Sequence, residues 1–281
     1  MTSDRQGRAA RRFDWLLFLA IALVVLATIV PFIWVFLSSV RSDIEIFGTP
    51  IGLPAAWQWE NYSKAWREGN FQRYFLNSVV VALGTTAITA IVAGPAGYHF
   101  SRGRGRLTRI VFYVFLFGMT LPVQAIIIPI FYQLRDYGLL NTQLGLIVVL
   151  VAVGLPFSCY LMRSHFRDLP EELFDAAEVD GASPWGVFMR IALPLSLPVL
   201  GAVSVFVFLI SWNEYLLALL ILLTADSRTI PVGIVRFQLE HSSDYGALFA
   251  GIVMAVVPSI LIYVAMNRSF VQGLTTGGTK G

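Results

Sequence analysis

Two short stretches of this sequence hold acidic and amide side chains at fixed spacing inside otherwise apolar surroundings. The first runs over 169–198, LPEELFDAAEVDGASPWGVFMRIALPLSLP, and carries Glu171, Glu172, Asp175 and Asp180. The second is Ser211-Trp212-Asn213-Glu214-Tyr215. Paired carboxylates invite an acid–base reading, but that chemistry needs a nucleophile or a second titrating group within hydrogen-bond reach. Nothing of that kind accompanies Glu171 and Glu172, and no catalytic residue is assigned. His99, His165 and His241 are too dispersed for the ligand spacing of a metal site. The single cysteine, Cys159, lies inside an apolar run, which excludes a disulfide framework and reads as a buried small hydrophobe. There is no G-x-x-x-x-G-K-[ST] loop to cradle a nucleotide phosphate, so no cofactor is expected. What remains is contact chemistry, with the polar stretch of 169–198 as a surface for a partner.

The elements around it are membrane-length. Of the residues, 57% are hydrophobic and 13% charged, against about 25% charged in soluble domains. The apolar residues come in blocks. A spanning helix needs about 20 mostly apolar residues, and six blocks qualify: 15–39, 76–97, 110–131, 144–162, 195–222 and 247–266. Lipid offers no partner to an unpaired amide, so the expected fold is an all-α membrane protein of six transmembrane helices. The 15–39 run is longer than a signal-peptide core and reads as an uncleaved anchor. Residues 1–14 are basic, polar and expected to be mobile.

Charge sets the orientation. Arg5, Arg8, Arg11 and Arg12 precede the first span, Arg102, Arg104, Arg106 and Arg109 follow the second, and Arg163, Arg167 and Arg190 surround the polar stretch. The basic residues on the other side are diluted by acids. By the positive-inside rule both termini and the 163–194 loop are cytoplasmic. The RGRGR run is thus a topology signal and calls for no nucleic acid.

Within the polar stretch, Pro170 is expected in the first turn of a helix, where a missing N–H costs nothing. The acids crowding that turn suit the positive end of the helix dipole. Gly181 offers a left-handed stop, and Ser183-Pro184 reads as the N-cap and first residue of a second helix. Trp185, Phe188 and Ile191 give that helix one apolar stripe, and Pro194 is expected to close it. A helix–Gly–helix trapped between spans has no core of its own and needs a partner.

Asp175-Ala176-Ala177, then Gly181, then Ile191-x-Leu193-Pro194 resembles the EAA signature of the membrane subunits of bacterial ATP-binding-cassette importers. Asp175 stands where that family usually has Glu, a carboxylate on a stem one methylene shorter. The resemblance implies an EAA-type coupling loop between spans four and five, with Glu172, Asp175, Ala176, Ala177, Asp180, Gly181, Ala182, Ile191, Leu193 and Pro194 contacting an ATPase. It also implies the partners: two ATPase subunits, a second and different permease subunit, and an extracytoplasmic solute-binding protein. The Trp-Asn-Glu-Tyr run resembles the sugar-importing branch. The ending Gln272-Gly273-Leu274-Thr275-Thr276-Gly277-Gly278 is similar to the tail of the second permease subunit of maltose-type importers. That likeness implies that Gln272, Gly273 and Thr275 reach the ATPase interface.

The other segments carry weaker signals. Small residues from Ala82 to Gly94 place the second span in the bundle interior, where close approach of backbones provides the attraction. Pro122 and Pro129 are each expected to bend the third span. Residues 57–66 read as a short amphipathic helix on the interface. The 223–246 segment, with Asp226, Arg228, Arg236, His241 and Asp244 among apolar residues, reads as an external loop suited to a soluble partner. A carboxylate in a span is costly and usually faces protein or water. Asn213, Glu214 and Tyr215 therefore read either as a polar patch on the solute route or as an interhelical hydrogen-bond clamp. The tail beyond Arg268 is expected to be too glycine-rich for a helix. The resulting organisation is a 1–14 cytoplasmic segment, a 15–266 permease domain containing the 163–194 coupling loop, and a 267–281 tail. The alternative, a stand-alone secondary transporter or channel, calls for coupling acids in several spans, and Glu214 alone is a candidate.

Overall fold

The computed structural model describes residues 3–240 and 244–275. Among the described residues every regular element is helical. Five helices are long and apolar enough to cross a membrane: Asp14–Ser38, Phe71–Arg102, Gln143–Asp168, Pro184–Trp212 and Tyr245–Ala265. A sixth arises if Arg106–Thr120 and Val123–Asp136 form one span with a 92° bend. The chain divides into two compact units, Met1–Gly69 with Arg236–Met254, and Asn70–Val235 with Ala255–Gly281.

In the first unit α1 spans Ser3–Ser38, with Pro31 inside it. The basic segment expected to be mobile is helical from Ser3, in keeping with its Ala, Arg and Gln content. From Asp14 to Ile33 α1 is exposed on every side. A helix apolar all round belongs in lipid or against other helices. α2 (Asp43–Gly48) opens with a capping box between Ser42 and Glu45. Glu45 Oε2 accepts from the Ser42 amide at 3.2 Å and Oε1 from the Ala55 amide at 2.9 Å. These bonds, that from Ser42 first, favour the ionised carboxylate and hold it below the usual glutamate range. The helix expected near Trp57–Trp66 is α3 (Glu60–Arg67), whose Asn61 donates to the carbonyls of Ser39 and Arg41. Asp43 accepts from the Tyr245 and Gly246 amides at 2.9 and 3.1 Å, capping the final helix.

The second unit is built on α4 (Phe71–Arg102), α7 (Gln143–Asp168) and α10 (Leu193–Trp212). Ser78, Ala82, Thr85, Thr89, Ala93, Gly94 and Gly97 are buried small residues of α4. A Cβ on Gly97 would lie 2.6 Å from Met162 Cβ and 3.0 Å from the Arg163 amide, so only glycine lets α4 and α7 approach this closely. α5 (Arg106–Phe117) is followed by a break at Leu121-Pro122 and then by α6 (Ile127–Asp136). Leu121 is extended, as a residue before proline prefers. Pro129 does not add a second bend, because it falls in the first turn of α6, where the N–H it lacks would have no partner within the helix.

The short helices are α8 (Glu171–Val179), α9 (Pro184–Val187) and α11 (Leu216–Ile221). Much of the segment expected as an external loop is α12 (Ile230–Glu240). Its Ile230 and Val232 are buried in the chain's own core, which removes them from any docking surface. His241 and the side chain of Arg236 fall outside the described residues. α13 (Tyr245–Thr275) continues through residues expected to be irregular. Between Arg268 and Thr275 the one glycine is Gly273, too little to stop a helix already running. The Gly277-Gly278 and Gly281 positions lie outside the described residues.

Candidate functional site

The polar stretch folds as two helices around one glycine. α7 ends at Asp168, Leu169 and Pro170 are extended, and α8 begins at Glu171, so Pro170 caps the helix rather than sitting inside its first turn. At the far end the Ala182 amide donates to Ala177 O and the Gly181 amide to Glu178 O, each at 3.0 Å. This is a Schellman pair, and it requires a left-handed residue after the helix. Gly181 supplies it with φ of 75°. The chain then turns into α9, where Ser183 Oγ accepts from the Gly186 amide at 3.2 Å and Pro184 takes the first helical position.

One face of this motif is anchored in the chain itself. Phe174, Ala177, Val187, Phe188 and Ala192 are buried in a cluster with Ala93, Cys159, Met162 and Phe166. Tyr98 is its aromatic centre, 5.2 Å from the Phe188 ring and 5.5 Å from Phe166. The Arg102 guanidinium stacks on Phe174, and its Nη1 is 3.8 Å from Glu171 Oε1. The motif thus shares a core with α4 and α7, which cover one of its faces from within the chain. Ala177 faces that core and not a partner. Ile191 and Leu193 are half-buried against the same cluster.

The opposite face is open. Glu172, Asp175, Ala176, Asp180, Gly181 and Ala182 are all exposed, together with Val179 at 87% and Trp185 at 62%. Carboxylates, small side chains and two large apolar groups thus share one surface. Nothing on it resembles a walled pocket.

Pro194 does not close the second helix. α9 passes into a π-turn over Phe188–Ala192 and then directly into α10, with the Leu193 amide bonded back to Phe188 O. Proline has no N–H to give and clashes with the carbonyl four residues back in a regular helix. Widening the preceding turn shifts that carbonyl, and the helix carries on. Pro184 to Trp212 is consequently one continuous helical run.

α10 ends at Trp212, short of the 222 expected for the fifth span. Asn213 Nδ2 donates to Leu209 O at 2.7 Å, closing the helix. Glu214 Oε1 accepts from the Leu217 amide at 2.8 Å and starts α11. Both polar groups therefore serve helix ends within their own segment. The interhelical bond at this place comes from Trp212, whose Nε1 donates to Ala255 O at 3.0 Å. Tyr215 is exposed.

Sequence reasoning passed over a polar hub near this break. Asn141, left-handed with φ of 61°, accepts through Oδ1 from the amides of Leu223 (2.9 Å) and Thr224 (3.0 Å) and from Ser227 Oγ (2.7 Å). Asn77 Nδ2 donates to the carbonyls of Asp226 and Arg228, and its Oδ1 accepts from Gln143. Ser78 Oγ accepts from the Ile230 amide. The available signal was an Asn three residues after Gly138, a type that tolerates the left-handed region.

Residues 86–275 match the binding-protein-dependent transport system inner membrane component family. The chain is 38% identical over 269 residues to the diacetylchitobiose uptake system permease protein NgcG of Streptomyces coelicolor, covering 95% of this chain and 89% of that protein. It is 32% identical to the lactose transport system permease protein LacG of Rhizobium radiobacter, covering 90% and 92%. In fold it is similar to a chain of a bacterial ABC transporter involved in the import of the acidic polysaccharide alginate. That likeness has a TM-score of 0.83 at 22% identity and covers 94% and 98% of the two chains. With both the pattern and these relatives in agreement, the chain belongs to the family of binding-protein-dependent transport system inner membrane components, multi-pass proteins of the inner membrane.

Proposed function

We propose that this chain is a permease subunit of an ATP-driven importer, forming part of the path for a carbohydrate delivered by an extracytoplasmic binding protein. The family match supports the transport role, and relatives named for diacetylchitobiose, lactose and arabinooligosaccharides support the substrate class. ATP hydrolysis belongs to two separate ATPase subunits, and a second, different permease subunit completes the path. The positive-inside distribution supports cytoplasmic termini and a cytoplasmic α8–α9 loop.

The observation that carries the mechanism is the continuity of α9 with α10 through the π-turn. An ATPase that grips the open face of α8 and α9, at Glu172, Asp175, Ala176, Asp180 and Ala182, moves α10 with it. Closure on ATP then rocks the fourth and fifth spans as rigid pieces. This shifts the equilibrium only if the loop contacts the two ATPase states differently. At the other end of α10 the Asn213–Tyr215 break interrupts the helix, as the Pro122 break does between α5 and α6; inside a membrane such backbone is tolerated where it is covered by protein or lines a wet cavity. We place the solute path there, and Gln272, Gly273 and Thr275 against the ATPase interface.

A cysteine at the exposed Val179, in a Cys159→Ser background, tests the reading. In the assembled complex it is expected to cross-link to an ATPase subunit, with a yield that changes on ATP binding. Cross-linking only to the binding protein, or equal yield in both nucleotide states, would refute it.

A further inference from the structure

At the end of the bundle that carries α8, α5 and α7 lie side by side with basic and aromatic residues in matching layers. Arg163 is locked in place: Nε donates to Phe100 O at 3.0 Å, and the guanidinium lies 4.1 Å from the centre of the Phe112 ring. Its electrostatic neighbours are Arg167, Tyr113 and Tyr160, so these four side chains share one neighbourhood. Tyr160, Arg163 and Arg167 recur at i, i+3, i+7 along α7, and Arg106, Arg109 or Ile110, and Tyr113 do so along α5. Arg109 and Arg167 are exposed. Among the described residues, no ion pair to a carboxylate involves Arg104, Arg106, Arg109, Arg163 or Arg167.

Moving toward the middle of the bundle, the layer changes character. Tyr113 is 61% exposed and Tyr160 45%; Val114 and Phe117 on α5 and Val153 on α7 are exposed apolar side chains. From Arg109 to Phe117 is eight residues, about 12 Å along the helix. Over that distance the surface passes from uncompensated guanidinium, through phenol, to hydrocarbon-like side chains. A free phosphate would need the first layer only. An acidic peptide would use the first layer and leave the apolar side chains without a purpose. A phospholipid presents the matching order: anionic phosphate, ester and glycerol oxygens, then acyl chain.

We propose that the α5–α7 face binds one anionic phospholipid, its phosphate held by Arg109 and Arg167 with Arg163 behind them. Tyr113 and Tyr160 frame its ester level, and Val114, Phe117 and Val153 carry its acyl chains. The site lies close in sequence to the coupling motif's anchor, because α5 follows within a few residues of Arg102, the last residue of α4, which holds Phe174 of α8. Basic side chains at a membrane surface attract anionic headgroups, and tyrosine favours the interface, so the two layers act together.

The test uses the assembled complex in zwitterionic nanodiscs, titrated with phosphatidylglycerol and read by native mass spectrometry of retained lipid. Arg109→Gln/Arg167→Gln is compared with a charge-matched double, Arg104→Gln/Arg190→Gln. Retention of phosphatidylglycerol is expected to fall on the order of tenfold in the first double and to be unchanged in the second. Phosphatidylcholine is not retained by either, and glycerol phosphate does not displace the lipid. Equal loss in the two doubles would reduce the site to generic surface charge and overturn the proposal. Displacement by glycerol phosphate would make it a headgroup-only anion site, which also overturns it. Loss of a protein subunit from the first double would show a protein interface in its place.

Discussion

The Arg102 guanidinium lies 3.4 Å from the centre of the Phe174 ring, tying the end of α4 to the first helix of the coupling motif. Its side chain is 29% exposed, so the stacking is partly desolvated and contributes about 1–2 kcal/mol. Lysine keeps the charge and loses the planar stack. Arg102→Lys is therefore expected to loosen α8 nearly as much as Arg102→Gln. Amide exchange across 171–182 should speed up several-fold in both while α7 stays protected. If only the Gln variant exchanges faster, charge attraction to Glu171 is the stronger tie.

Gly181 has open space around it, since an added Cβ meets no atom within 4 Å. The constraint is its φ of 75°, which costs a residue with a Cβ about 1–2 kcal/mol. A β-branched side chain is worse there than asparagine. Gly181→Val is expected to disconnect ATP hydrolysis from uptake, and Gly181→Asn to retain most of the coupling. Substrate-stimulated ATPase activity of the reconstituted complex measures both. Equal behaviour of the two variants would mean that backbone conformation at this residue is not what matters.

How much of this was legible in the sequence depends on how local each feature is. Gly181, Ser183 and Pro184 act on their immediate neighbours, and the two-helix motif follows from them. The six apolar runs follow from bilayer thickness, which acts on length alone. Pro194 misled because a proline stops a regular helix; the π-turn that carries α9 past it is held by Phe188 and Ala192, buried against other helices. Ala176 and Ala177 look equivalent in sequence, yet helical phase puts Ala177 on the Phe174 side and Ala176 outside. Glu214 looked like a membrane carboxylate because the end of α10 at Trp212 was not visible; once the helix stops, the same group is a cap. Arg102 and Phe174 are distant in the chain and carry no common pattern.

Glu45 supplies a pH dependence. Its carboxylate is lowered below the usual range by the Ser42 and Ala55 amides. The folded loop therefore favours the ionised form. The stabilisation is complete above the ordinary glutamate pKa and is lost as pH falls through the lower folded-state value. Limited proteolysis within 42–56 should accelerate on acidification through that range. Glu45→Gln should be cleaved faster at neutral pH, with little further change in acid. A pH response persisting unchanged in Glu45→Gln would assign it to another group.

Glu214 offers a way to separate the two roles open to it. Glutamine keeps an oxygen to accept from the Leu217 amide, so Glu214→Gln preserves the start of α11 and removes only the charge. Glu214→Ala removes the cap as well, at about 0.5–2 kcal/mol. If capping is its whole contribution, the Gln variant transports normally and the Ala variant loses thermal stability. A raised KM for uptake in the Gln variant, at unchanged melting temperature, would place the charge on the solute path.

The π-turn makes the sharpest mechanical prediction, because it adds one residue to a helix that otherwise runs regularly from Pro184 to Trp212. Each residue of an α-helix turns about 100° and rises 1.5 Å. Met189 is exposed within that turn, and deleting it removes the extra residue without emptying the core. The helix then has two outcomes open to it. Either α9 rotates by about 100° relative to α10, taking Phe188 out of the Tyr98 cluster and swinging Gly181 and α8 away from their seat, or Pro194 breaks the helix and α9 is mechanically cut off from the span. Both predict the same functional result: ATPase activity that no longer responds to a loaded binding protein, in a complex whose spans remain folded. Restoring the register with an alanine inserted after Ile191 keeps the residue count and should recover part of the response. Normal uptake by the deletion variant would show that force does not pass through this segment, and would remove the physical basis for treating α9 and α10 as one lever.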